Sequence, residues 1–252
     1  TGCVPHRDLG GFESKTIGLN AHSMLEQPRN FYLLHQVEPE FDCADPMLAT
    51  AAMQNADCVV CLTPYVSQEM QAYADVLLPT APYAETSGSY VNIEGTLQRF
   101  GAVGSSIYGE ARPAWKIIRV LGNYFNIDDM SYASSEEILA GFIRHTGDYL
   151  QASPEVIGDA IPLGEAVNGI YRCSEVNPYR CDGIARHSEP LQKTPIALDD
   201  KARMATSLAR RLDLLQATHI LVKQGGKTAG MSLLLDDNVP ENTLYIPGAT
   251  VV

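Results

Sequence analysis

Three short apolar runs constrain this chain most: Asn30–His35, Cys58–Leu62 and Val76–Leu78. Each is too short to be a buried helix and too apolar to be a loop. Between the first two, Asp45-Pro46 has the form of a helix start, an acid at the N-cap followed by proline at the first helical position. Leu48, Ala51 and Ala52 then supply an apolar face up to about Asn55. Between the second and third, Ser67–Tyr73 reads as a short helix. Strand, helix, strand, helix, strand at this spacing predicts right-handed crossovers and a parallel sheet. The near-continuous apolarity of Asn30–His35 predicts a strand covered on both faces. Ligands of such sheets sit outside the carboxyl ends of the strands. That rule places Gln36–Pro39, Thr63–Pro64 and Pro79–Gly88 along one rim.

The third strand leads into the stretch Ala72–Phe100, AYADVLLPTAPYAETSGSYVNIEGTLQRF. Pro79 stops the apolar run, a Ser-Gly-Ser turn follows, and Tyr90-Val91-Asn92-Ile93 leans toward β structure. A loop of small polar residues between extended segments can leave backbone N–H groups free to line a crevice. It can equally be a well-ordered surface loop that fixes two strands. The residues alone leave both readings open.

Downstream, Arg112-Pro113 opens what reads as the longest helix, with Trp115, Ile118, Leu121, Tyr124 and Phe125 as a core face. Ser134 and Glu137 form a capping box ahead of an Ile138, Leu139, Phe142, Ile143 stripe. Residues 151–195 carry Pro154, Pro162, Pro178 and Pro190 among scattered polar residues and read as an extended connection. The last stretch changes character. Lys201–Leu212 reads as a helix, His219–Gln224 as a strand, Gly225-Gly226 as a two-residue hairpin turn, and Thr228–Leu235 as an alternating strand. Leu244-Tyr245-Ile246 is one more strand. The expected architecture is an α/β parallel-sheet domain over 1–150, the linker 151–195, and a small β-barrel-like domain over 196–252.

Composition narrows the functions. A net charge of −12 over 252 residues argues against a nucleic-acid surface, which needs clustered Lys and Arg. No apolar run approaches the ~20 residues of a membrane-spanning helix, so direct membrane insertion is not expected. Cys58-Val-Val-Cys61 has half a zinc-site spacing, but on a strand residues three apart face opposite ways. No glycine-rich phosphate loop, nucleophile elbow, HExxH helix or cysteine-rich cluster run is present, and the six histidines are scattered. No catalytic residue and no metal ligand are therefore assigned. The scattered cysteines fit a reducing, cytosolic setting. The chain opens at Thr1 without a signal-peptide pattern and stops on Ala249-Thr250-Val251-Val252, which suggests a fragment of a longer polypeptide.

Ala74-Asp75-Val76-Leu77-Leu78-Pro79, followed by Glu85, Gly88, Asn92 and Glu94-Gly95, resembles the molybdopterin oxidoreductase superfamily. The usual pattern there is ADVVLP and then E-x-x-G-[TS]-x-x-N-x-E-G-R. Gly2–Arg7, Gly18–Ala21, Glu38–Asp42 and Ala111–Trp115 are similar to one branch, the large G subunit of bacterial NADH-quinone oxidoreductase, respiratory complex I. Leu221–Gln224, Val239-Pro240 and Tyr245–Pro247 are similar to that branch's C-terminal barrel.

The resemblance implies a Rossmann-like parallel-sheet fold of molybdopterin oxidoreductase type with a barrel-like domain after it. It implies a structural, non-catalytic part of a complex that passes electrons from NADH to quinone through iron–sulfur clusters held elsewhere. The other peripheral-arm subunits would be its partners, on the cytoplasmic side of the bacterial inner membrane. It also implies a vestigial pterin rim at Thr63, Glu85, Gly88, Asn92, Glu94 and Gly95. The family's Arg after Glu94-Gly95 is Thr96 here, which removes a cation that could hold a pterin phosphate, although Arg99 lies three residues on. The expectation is a subunit that has lost its molybdopterin. The alternative is the cofactor-binding half of an active molybdenum or tungsten oxidoreductase such as a formate dehydrogenase.

Overall fold

The structure is a computed structural model that describes residues 19–92, 96–105, 109–146 (145 and 146 in backbone only) and 169–248. The chain divides into two compact units, residues 1–160 and 161–252.

In the first unit, β1 (Phe31–His35), β2 (Cys58–Thr63) and β3 (Val76–Pro79) form a parallel sheet in the order β1-β2-β3. Tyr32 lies opposite Val59, and Cys61 lies between Leu34 and Leu77. Sequential strands joined by right-handed crossovers place the connecting helices on one face. The core shows this arrangement. Tyr32, Val59 and Cys61 pack against Leu25 of α1 (Ala21–Glu26), Ala49, Ala52 and Met53 of α3 (Pro46–Gln54), and Met70 and Tyr73 of α4 (Gln68–Tyr73).

The Asp45 cap holds as the sequence predicts, and Ser67, expected as the first residue of its helix, is the cap of α4. Asp45 Oδ1 accepts from the Leu48 N–H at 3.1 Å, and Ser67 Oγ accepts from the Met70 N–H at 2.9 Å. The buried face of α3 is Ala49, Ala52 and Met53, whereas Ala51 points outward. A four-residue helix, α2 (Pro39–Asp42), occupies what read as loop after β1. Residues 21–26, expected to drape without periodicity, form α1, capped by Asn20.

The other face of this sheet is covered unevenly: Leu62, which alternates with Cys61, is fully buried there. Phe31 is 52% exposed, Leu33 44% and Val76 41%. The expectation of two-sided cover holds at Leu62 and fails at Phe31, Leu33 and Val76.

Beyond β3, β4 (Gly88–Val91) and β5 (Leu97–Phe100) form an antiparallel hairpin. The helix α5 (Ala114–Tyr124) buries Ala114 and Gly122, and the expected core residues Tyr124 and Phe125 are 81% and 71% exposed. Gly122 is held in place by Met130, whose Cε would lie 2.5 Å from an added Cβ. The helix α6 (Ser135–Thr146) is one residue longer than α5. Its capping box has Ser134 Oγ accepting from Glu137 N–H, while the Glu137 carboxylate accepts from Ala133 N–H.

The second unit is a five-stranded curled, half-barrel sheet in the order β6-β10-β7-β9-β8. Its strands are β6 (Tyr171–Cys173), β7 (Ala202–Met204), β8 (His219–Gln224), β9 (Lys227–Leu235) and β10 (Thr243–Tyr245). Gly225 and Gly226 sit at φ +55° and +81°, the left-handed geometry that a tight hairpin requires. Lys201–Leu212 is not one helix. Ala202 and Met204 alternate with Arg203 on a strand at the centre of the sheet, and the helix α9 spans only Thr206–Arg211. Ladders to β9 and β10 hold the strand, and on its opposite face Arg203 pairs with Asp199 and Asp236. The described part of the expected linker carries β6 and two short helices, α7 (Gly183–Arg186) and α8 (Glu189–Gln192). It joins the second unit because Tyr171–Cys173 pairs in parallel with Thr243–Tyr245. Residues 151–168 of that linker lie outside the described residues.

Candidate functional site

The carboxyl ends of β1, β2 and β3 meet at a rim whose groups bond to one another. Gln36, at φ +51°, donates its N–H to Leu62 O at 2.8 Å and its side-chain Nε2–H to Ala81 O at 3.1 Å. A residue past the first strand thereby ties down the segment past the third. Thr80, 1% exposed, donates its N–H to Thr63 O. Thr63 is buried, and its hydroxyl is used twice within its own turn, donating to Tyr65 O at 2.6 Å and accepting from the Tyr65 N–H at 3.2 Å. Arg112 bridges to Thr80, and its guanidinium donates to the carbonyls of Gly109 and Ala111.

Beside the rim lies a buried polar cluster that the sequence reading missed. Glu40 on α2 is 8% exposed. Its Oε1 accepts from Ser67 Oγ at 2.6 Å and its Oε2 from the Tyr73 hydroxyl at 2.9 Å. One carboxylate so joins the segment after β1 to both ends of α4. Burial, then the Glu40 charge, hold the Tyr73 phenol well above its ordinary range. The same two causes push the Cys61 thiol up to about 11. The sulfur is therefore protonated at neutral pH, the opposite of a reactive cysteine. The only sequence signal for this cluster was a serine at the start of a short helix. The pairing itself joins residues 27 and 33 positions apart.

The remaining residues of the motif fall on the β4–β5 hairpin. Gly88 faces the ring of Phe100, whose Cζ would lie 2.8 Å from an added Cβ. That ring stacks on Tyr90 with centroids 5.2 Å apart. Asn92 closes the turn. Its Oδ1 accepts from the Thr96 N–H at 2.8 Å, and its own N–H donates to Thr96 O at 3.0 Å. Glu85 closes a short 3-10 turn, Tyr83–Glu85, and its Oε2 is buried without a hydrogen-bond partner among the described residues. Glu94 and Gly95 lie outside the described residues. Arg99 is exposed on β5, opposite Ser89.

The structure thus collects Thr63 with the rim and Gly88 with Asn92 on one hairpin. Cys58 and Cys61 point to opposite faces of β2, as strand geometry requires, with Cys58 opposite Phe31. Among the described residues no group of three His, Cys, Asp or Glu side chains is arranged to hold a metal, and no helix is long and apolar enough to cross a membrane.

Comparison with known proteins gives this geometry its context. Residues 7–124 match the model of the molybdopterin oxidoreductase family. The mitochondrial NADH-ubiquinone oxidoreductase 78 kDa subunit of Candida albicans is 49% identical over 55 residues, 22% of this chain and 8% of that protein. The 75 kDa subunit of Reclinomonas americana is 32% identical over 128 residues, 48% of this chain and 18% of that one. The F420-dependent formate dehydrogenase 1 subunit alpha of Methanococcus maripaludis is 26% identical over 147 residues, 56% of this chain and 21% of that one. The chain thus spans about a fifth or less of the length of these relatives. Acetylene hydratase from Pelobacter acetylenicus has a similar fold, with a TM-score of 0.60 at 19% identity, covering 88% of this chain and 37% of that one. The parallel sheet with its Val76–Pro79 strand, the hairpin motif after it, and the family match over both mark residues 7–124 as similar to the molybdopterin oxidoreductase family.

Proposed function

We propose that this chain is a scaffold part of an electron-transferring oxidoreductase of the NADH-quinone type, its pterin rim given over to holding the fold. The observation that carries this reading is the use of the motif residues. The Thr63 hydroxyl serves its own turn, Gly88 admits the Phe100 ring, and Asn92 closes the hairpin. A pterin phosphate needs free donors and cations. Here the Arg112 guanidinium is engaged with backbone carbonyls, and the hairpin segment presents a carboxylate oxygen at Glu85. The rim as described does not fit that group. On this reading the electrons travel through iron–sulfur clusters elsewhere in a longer protein. The partners are the other peripheral-arm subunits, at the cytoplasmic face of the membrane. The names of the 75 and 78 kDa relatives support the assignment.

The formate dehydrogenase relatives support a second reading, a molybdenum or tungsten enzyme. Elemental analysis separates the two. The full-length protein, purified after growth with molybdate and tungstate both supplied, should contain far less than one atom of either metal per chain. A stoichiometric content of either would overturn the scaffold assignment.

A further inference from the structure

The curled sheet of the second unit stops short of closing, and the gap has the form of a strand site. Its two edge strands are β6 and β8. A cavity of about 280 Å³ lies between them, lined by Ile170–Arg172 on one side, by Ile220–Gln224 on the other, and by core residues such as Leu208 and Leu244 behind. Consecutive strand residues point to opposite faces. A cavity bordered by five consecutive residues of β8 is therefore bordered by the strand's edge, where its backbone groups lie.

The ladder fixes which groups these are. Leu233 N–H donates to Thr218 O, and in an antiparallel pair the bonded positions alternate. Ile220, Val222 and Gln224 thus bond to β9, and the N–H and C=O of Leu221 and Lys223 face the gap. On β6, Tyr171 N–H donates to Asn242 O and Cys173 O accepts from Ile246 N–H, so the backbone of Arg172 faces the gap from the other side. The rim is apolar and solvent-exposed, with Leu221 72% exposed and Ile170 48%. Its charged side chains are Arg172 and Lys223, with no acid among the lining residues. One side-chain bond, Arg172 Nη1–H to Gln224 Oε1 at 3.0 Å, spans the opening.

We propose that this gap is an acceptor site for one extended segment of a partner polypeptide, with alternate small apolar side chains and acidic residues at its ends. Two backbone edges, unpaired among the described residues, recognise main chain, which a fatty acid or a cofactor lacks. The apolar floor takes every second side chain, and the two cations select acidic flanks. This is strand addition at a sheet edge, here on two edges at once. The volume is below the ~300–1,000 Å³ usual for small-molecule sites. The proposal names a partner contact for the scaffold reading and rests on it. Metal analysis tests that reading separately.

The probe is a fluorescein-labelled peptide, acetyl-Asp-Val-Thr-Val-Thr-Val-Asp, titrated into the full chain and followed by anisotropy. Saturable binding is expected, weakened at least ~10-fold by Lys223→Glu with Arg172→Glu, which corresponds to ~1.4 kcal/mol. N-methylation of the central peptide bonds, which preserves the side chains and removes donors, should abolish binding. Hydrogen exchange provides a readout independent of variant folding. The Leu221 and Lys223 amides should exchange fast in the free chain and slow with the probe. Equal binding of the methylated peptide, or no binding at about 1 mM, would overturn the proposal. So would protection of those two amides in the free chain, because the chain's own residues or a second copy would then occupy the gap.

Discussion

The sheets of the two units leave different things open. The parallel sheet of the first unit has helices on one face, and its other face carries Phe31, Leu33 and Val76 in the open. The curled sheet of the second unit turns Ala202, Met204, Ile220 and Met231 inward around Leu208 and leaves a gap between edges. A bare face can be satisfied only by a packing layer of side chains. A bare edge can be satisfied by backbone alone. Fold completeness therefore has two separate measures in this chain, and substitution separates them.

The largest effects should come from the covered sides. Met70 and Leu208 are among the largest fully buried side chains, one in each unit. Replacing either with alanine should cost about 2–5 kcal/mol in urea unfolding, because the lost transfer energy adds to the cavity left behind. A cost under 1 kcal/mol at Met70 would mean that the helices on that face are loosely packed, and the contrast between the faces would fail.

Next comes the buried carboxylate. Glu40→Leu strands two hydroxyl donors, and about 2–3 kcal/mol of destabilisation is expected. Tyr73→Phe made on top of it should cost little more, because the interaction it removes is already gone. Strict additivity would show that Glu40 and Tyr73 are not coupled.

The same cluster sets an alkaline limit. The folded-state values of Cys61 and Tyr73 are raised, so the unfolded chain loses these protons first. The stabilisation is complete below the unfolded thiol value of 9.0 and fades as pH rises through the folded value of about 11. Urea midpoints should fall between pH 9 and pH 11, and fall less in the Cys61→Ala variant. An identical fall in that variant would assign the effect to other groups.

Gly88 ranks below these. A methyl group there meets the Phe100 ring at 2.8 Å, so Gly88→Ala should cost about 1–3 kcal/mol. A Phe100→Leu background, with the ring removed, should lower that cost. If the cost is unchanged, the glycine is required for another reason, and a ligand approaching its backbone becomes the better account.

These sites show what the sequence could and could not convey. The three parallel strands, the Asp45 cap and the Gly225-Gly226 hairpin were readable because each depends on residues a few positions apart. The central strand β7 was not, since Lys201–Leu212 has good helix formers. Its extended form rests on ladders with Leu233–Leu235 and Leu244-Tyr245, which are distant in sequence. The outward turn of Tyr124 and Phe125 was hidden for a related reason: helical spacing gives the apolar stripe, while Met130 against Gly122 decides which part of it is buried. At the rim the resemblance marks Gly88 and Asn92, and each has a role within the hairpin. Only the coordinates supply a reason in the hairpin itself. Glu40 carried no mark at all, because a buried carboxylate and a surface one are spelled the same.

The smallest effect expected is the most informative about the open face. Phe31 is 52% exposed and Leu33 44%, so replacing either with threonine removes little buried area. Threonine also suits a strand. Each change should lie within about 0.5 kcal/mol of neutral in this chain, as for surface positions without special contacts. Tyr32→Thr, one position along on the covered face, removes a hydroxyl that donates to Met24 O and accepts from Arg29 N–H, and should cost several times more. If Phe31→Thr and Leu33→Thr are instead as damaging as core substitutions, some layer of polypeptide covers that face. The face and the edge would then differ in kind of closure and not in whether they are closed.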